Sequence, residues 1–119
     1  MVTIGRMFFS TFEFDKQWER MGLNDEERRR LENEIAQNPK TGVVVQGAGG
    51  LRKMRFAPEG RGKSGSSRVL YVDFVVVGRV YLITAYLKSE KEDISQAERE
   101  LYKKIIGQTK KELGGEQHE

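Results

Sequence analysis

Residues 51–68 hold six cations, Arg52, Lys53, Arg55, Arg61, Lys63 and Arg68, against the single acid Glu59. This window carries +5 where the whole chain carries +3, so the remainder is slightly acidic. Positive charge concentrated beside glycines that let backbone approach a ligand closely is the electrostatic footprint of a phosphate-rich partner. The cations do not stand on a helix. They alternate along strand-like sequence and flank Gly/Ser stretches, so several can converge on one face of a sheet, and contact with RNA is the reading they favour over a solvated loop. Tyr86 and Lys88 stand at the end of the last strand-like segment and add a phenol and another ammonium. Tyr81 and Tyr86 are an odd number of positions apart, so in an unbulged strand they point to opposite faces and at most one shares the cationic face. The bland alternative for each is a half-buried tyrosine with its hydroxyl wet.

Other chemistries find little support in the residue types. Ala57-Pro58-Glu59-Gly60-Arg61-Gly62-Lys63-Ser64 matches a relaxed phosphate-loop pattern, but such a loop must feed a helix, and the residues from Ser67 on read as a strand. The chain has no cysteine, so it has no disulfide, thiolate nucleophile or zinc–thiolate site. The lone histidine, His118, lies in a polar tail and is not placed for acid–base work. Glu90, Glu92 and Asp93 read as solvating a turn, and no cluster of acids or histidines stands near the basic segment to hold a metal. Neither metal nor cofactor is expected. A nuclease built from these residues must work with cations and a tyrosine.

The elements that must position these groups can be read from the pattern. With 119 residues, 37% apolar and 33% charged, the chain suits one domain with a real core. We expect that domain over residues 1–113 and a frayed tail over 114–119. Residues 2–12 read as a first strand, and Phe14, Trp18 and Met21 recur at helical spacing behind it. Asn24 with Glu27 predicts a capping box for a second helix buried through Leu31 and Ile35 and ended by Asn38-Pro39. Residues 41–46, with three consecutive valines, lead towards the Gly47-Ala48-Gly49-Gly50 turn. In the next strand Arg52, Met54 and Phe56 share one face, and Leu51, Lys53 and Arg55 share the other. Residues 67–77 and 79–87 form a hairpin about Gly78. Ser95 and Glu98 box the start of a last helix, whose Ala97, Leu101 and Ile105 should face the sheet before Gly107 weakens it. Charges throughout the first twenty residues break any stretch of signal-peptide or membrane-spanning length, so no membrane association is expected and a cytoplasmic location follows.

Gly-Gly-Leu-Arg-Lys at Gly49 to Lys53, Gly-Lys-Ser-Gly at Gly62 to Gly65, Arg-Val-Leu-Tyr at Arg68 to Tyr71 and Tyr-Leu-Lys-Ser-Glu at Tyr86 to Glu90 together resemble toxins of the RelE/ParE superfamily, nearest the HigB branch of type II toxin–antitoxin systems. The resemblance covers nearly the whole domain. It implies an α+β fold in which N-terminal helices pack on a small twisted, mainly antiparallel sheet with a C-terminal helix. It implies ribosome-dependent mRNA cleavage in the A site of the 70S ribosome, by attack of a 2′-hydroxyl on the adjacent phosphorus, with no metal. Catalytic roles then fall to Arg68, Tyr86, Lys53 and Lys63, and RNA contacts to Arg52, Arg55, Arg61 and Lys88. Arg68 is the candidate to clamp the scissile phosphate bidentately. Lys53 or Lys63, crowded by like charges, is a conjectural general base. The implied partner is a HigA-like helix-turn-helix antitoxin. Two other functions remain open, a ParE-like inhibitor of DNA gyrase and a nucleic-acid-binding module without catalysis; the density of Arg and Lys beside Tyr86 favours the nuclease.

Overall fold

Strict alternation along β-strands lets one sheet carry an apolar face and a mixed one. The computed structural model describes residues 5–58 and 66–114. Their elements run β1 (Met7–Ser10), α1 (Phe12–Arg20), α2 (Asp25–Gln37), β2 (Val43–Val44), β3 (Arg52–Phe56), β4 (Ser67–Phe74), a 3-10 turn (Val75–Val77), β5 (Arg79–Leu87) and α3 (Gln96–Gly114). The five strands form one sheet in the order β1-β5-β4-β3-β2. Every neighbouring pair is antiparallel except β1 with β5, which is parallel. The architecture is therefore α+β, as expected.

The first face of the sheet meets the α1–α2 hairpin. Phe14 and Trp18 of α1 and Leu31 and Ile35 of α2 are buried against Met54, Phe56, Val69, Tyr71, Val80, Leu82 and Ala85. Both helices start as the sequence dictates. The Thr11 hydroxyl accepts the Phe14 amide at 2.9 Å, and Asn24 and Glu27 close a reciprocal capping box. The Tyr71 hydroxyl accepts the Gly42 amide at 2.9 Å and donates to the Pro39 carbonyl at 2.7 Å, fixing the chain that leaves α2. A Cβ on Gly42 would lie 2.9 Å from a Tyr71 ring carbon, so only glycine fits there.

The second face is covered only in part. Leu51, Leu70, Val72, Ile83 and Tyr86 pack with Ile94, Tyr102 and Ile106, the last two from α3. Here the expected helix face is corrected: Tyr102 and Ile106 are buried, while Leu101 and Ile105 are 52% and 37% exposed and Ala97 is exposed. The rotation follows from the helix start. Ser95 and Glu98 cap one another, and Glu98 also pairs with Lys91, which turns the Glu98, Tyr102 and Ile106 stripe inward. The helix runs through Gly107 to Gly114. The first strand is shorter than expected, since Phe12 already belongs to α1.

A second correction concerns β5. Leu70 pairs with Thr84 but Tyr71 pairs with Leu82, so the strand carries a bulge at Ile83. One extra residue reverses the parity beyond it. Tyr81 and Tyr86 consequently both pack against the second core, on the same face of the sheet.

Candidate nucleic-acid interface

Antiparallel pairing places directly opposed residues on one face with their side chains as neighbours. Arg55 of β3 is opposite Arg68 of β4, and Arg68 is opposite Tyr86 of β5, giving a row across three strands on the second face. Lys53 lies in the next row, opposite Leu70. Beyond Tyr86 the Lys88 amide donates to the Ser66 carbonyl at 3.4 Å, so the pairing carries past the strand end and leaves Lys88 exposed beside the row. The core of α3 covers the far end of this face, while Arg55 and Lys88 are exposed at this end.

Among the described residues neither Arg55 nor Arg68 has an acidic partner. Arg55 and Arg68 are like charges directly opposed, an arrangement that costs stability. One terminal guanidinium nitrogen of Arg68, Nη1, is buried without a hydrogen-bond partner, and so are the Tyr86 hydroxyl and the Ser66 Oγ. Buried polar groups are nearly always paired, so these orphans beside two cations are groups that a small side-chain movement would offer to an oxygen-rich ligand. Donors converging with cations select an anion.

Tyr86 is held from behind as well. Lys91 Nζ sits 5.5 Å above its ring, and Lys91 is itself paired with Glu98. Burial, reinforced by the nearby Asp93 carboxylate and opposed by Arg68, pushes the phenol up to about 12, although Asp93 does not reach hydrogen-bond geometry with it. The tyrosine is a donor at neutral pH, not a base.

Asp93 corrects the reading of the acids after β5. Its Oδ1 accepts from Lys53 Nζ at 3.1 Å and from the Ile94 amide at 2.8 Å. Burial works against its ionisation, but those donors together with the positive charge of Arg99 outweigh it and hold the carboxyl below its ordinary value. Glu90 likewise pairs with Arg20 at 2.9 Å, while Glu92 stays exposed. The surroundings of Lys53 therefore include a carboxylate and are not those of a lysine flanked by cations alone. No sequence pattern pairs residues forty positions apart, but Asp93 directly precedes Ile94 and the Ser95 cap, which lock that loop to the core.

Arg52 separates from the group. It is opposite Tyr71, on the face that meets the helical hairpin, and its guanidinium donates to the Gly42 carbonyl at 2.7 Å. Arg61 and Lys63 lie outside the described residues, as does His118. Of the expected site residues the structure thus brings together Lys53, Arg55, Arg68, Tyr86 and Lys88. Most of the phosphate-loop look-alike lies outside the described residues, and the next element after it is strand β4, where a true loop would start a helix.

Comparison with known proteins agrees with this fold. Two solved structures of the RelE toxin from E. coli share the fold. An arginine double mutant in the free state is 15% identical, with a TM-score of 0.51, over 74% of this chain and 88% of the other. The isolated toxin is 17% identical, with a TM-score of 0.50, over 84% of this chain and 98% of the other. At such identities the likeness speaks for the fold. The protein-family model described as RelE toxin of the RelE/RelB toxin–antitoxin system matches residues 6–117. With nearly the whole chain matched, this protein belongs to the RelE toxin family.

Proposed function

We propose that this protein is the toxin of a type II toxin–antitoxin pair and that it cuts translated mRNA in the ribosomal A site. The observation that carries the reading is the row Arg55, Arg68 and Tyr86, with its unpartnered guanidinium nitrogen and phenol on an open sheet face. In the reaction the 2′-hydroxyl gives its proton to water and forms a bond to the adjacent phosphorus, and the bond from phosphorus to the 5′-oxygen breaks as that oxygen takes up a proton. The products are a 2′,3′-cyclic phosphate and a 5′-hydroxyl end. Negative charge grows on the non-bridging oxygens, where Arg68 binds two of them through its planar fork and Arg55 and Lys53 add field. Tyr86, protonated across the working pH range, donates to an oxygen of the reacting phosphate or to the departing 5′-oxygen. Lys88 contacts the flanking backbone of the RNA. The ribosome supplies orientation of the message that a shallow, open face cannot supply alone.

The branch nearest HigB, a HigA-like helix-turn-helix antitoxin as partner, a cytoplasmic location and a reaction that needs no metal complete the proposal. Among the described residues no helix is long and apolar enough to cross a membrane. Inducing the chain alone, with and without a block on translation, and mapping RNA 5′ ends tests it. Breaks within codons that vanish when translation stops are expected. Efficient cutting of naked RNA by the purified protein would overturn the ribosome requirement, and growth arrest with whole mRNA but broken DNA would favour gyrase as the target.

A further inference from the structure

We propose that Asp93 is a positioning residue of this site, its carboxylate holding the Lys53 ammonium over the row of Arg68 and Tyr86 in the orientation that meets the reacting phosphate. The assignment rests on the functional reading above.

The carboxylate is fixed by backbone. The oxygen that binds Lys53 at 3.1 Å also accepts the Ile94 amide at 2.8 Å, Ile94 is buried in the second core, and Ser95 caps α3 directly behind it. A short, anchored side chain therefore meets a long, flexible one from β3. Of Lys53, Arg55 and Arg68, Lys53 alone has an acidic partner among the described residues.

Stability does not account for the pair. The Asp93 side chain is 49% exposed and that of Lys53 29%, and exposed ion pairs contribute little to folding. A carboxylate beside a phosphate-binding face also repels the substrate. Its presence there costs affinity and is offset only if the ammonium it orients is worth more in the transition state than in the ground state. The other charges facing this corner are Arg68 from β4, Glu98 and Arg99 from α3, and Lys91 over the Tyr86 ring. Arg99 donates through Nη1 to the Gln46 carbonyl at 3.0 Å, and its Nε is buried without a hydrogen-bond partner.

This leads to a split between turnover and binding, read on ribosomes programmed with a single message. Asp93→Asn keeps the shape and removes the charge. It should lower kcat by about ten- to a hundredfold, the effect of a reacting group displaced by roughly an ångström, while KM stays level or falls. Asp93→Glu should recover much of kcat. In a Lys53→Met background, Asp93→Asn should cost nothing more. Wild-type kcat and KM in Asp93→Asn, or an undiminished loss in the Lys53→Met background, would overturn the assignment. If Asp93→Asn melts early, Asp93→Glu decides, since a loss as large as that of the Asn variant removes the charge argument. Wild-type protein that leaves the programmed message whole would instead overturn the nuclease reading and this assignment with it.

Discussion

Arg68 and Tyr86 face each other across β4 and β5, and their two unpartnered groups set what each substitution should do. Arg68→Ala should abolish cleavage and leave the melting temperature within a few degrees of wild type, since Arg68 is only half-buried on the open end of the face. Arg68→Lys should restore little, because an ammonium cannot reproduce the planar fork. A folded, fully toxic Arg68→Ala protein would remove the residue from the site. Tyr86→Phe keeps the ring under Lys91 and deletes the donor. It should lower turnover by about one to three orders of magnitude with ribosome binding unchanged, the range of one acid–base or charge-stabilising contact. Normal cleavage by Tyr86→Phe with poor binding by Tyr86→Ala would make the ring a stacking platform. At this scale the sequence was informative about residue types and silent about their partners. Basic residues in alternation beside glycines marked Lys53, Arg55 and Arg68, but the same alternation included Arg52, whose guanidinium serves the Gly42 carbonyl on the opposite face. Asp93 was invisible as a partner of Lys53 because an ion pair between a strand and a distant loop has no signature in either segment.

Elements whose ends are written in local chemistry were legible before the structure. The Asn24 and Ser95 boxes, the Asn38-Pro39 stop and the strands β3 and β5 lie where capping and periodicity place them, whereas β4 stops at Phe74 and the three valines expected to extend it form a 3-10 turn. Tertiary fit decided the rest. Helix α3 has two adjoining apolar stripes, and packing buries the one through Tyr102 and Ile106, on the side where Glu98 pairs with Lys91. The bulge at Ile83 is a register property shared by two strands, so single-strand counting misplaced Tyr86 relative to Tyr81. Helix α3 offers a paired measurement. Gly107 lies mid-helix with open space where a Cβ would stand, so Gly107→Ala should stabilise the protein by about 0.5–1 kcal/mol. Ser95→Ala removes the acceptor of the Glu98 amide and should destabilise by about 1 kcal/mol. Denaturant unfolding of both variants checks the opposite signs, and a destabilised Gly107→Ala would mean that this surface of α3 is packed.

For the whole molecule, buried phenols set the alkaline limit of the fold. Burial raises Tyr71, Tyr86 and Tyr102 above the ordinary 10.0, Tyr86 to about 12. The unfolded chain releases these protons first, so their contribution to stability is complete below pH 10 and is lost as pH rises towards 12. Unfolding free energy measured from pH 9 upward should fall over that window, and Tyr86→Phe should make the fall shallower. An unchanged slope in that variant would show that the phenol titrates alike in both states.

The parallel pairing of β1 with β5 has a consequence for how the chain matures. Met7 to Ser10 have no strand to join until Arg79 to Leu82 exist, and Thr11, which caps α1, bonds backbone carbonyls of Leu82 and Ile83. Residues 7–10 must therefore wait for a strand about seventy positions further on, and closing so long a loop makes this pairing slow. A fragment of residues 1–78 should show no cooperative melting transition by circular dichroism, and a sharp one would mean that the α1–α2 hairpin folds without β5. Because Tyr86 and Asp93 of the proposed site lie in or after β5, a chain stopped or cut before β5 lacks both and should be inactive rather than weakened.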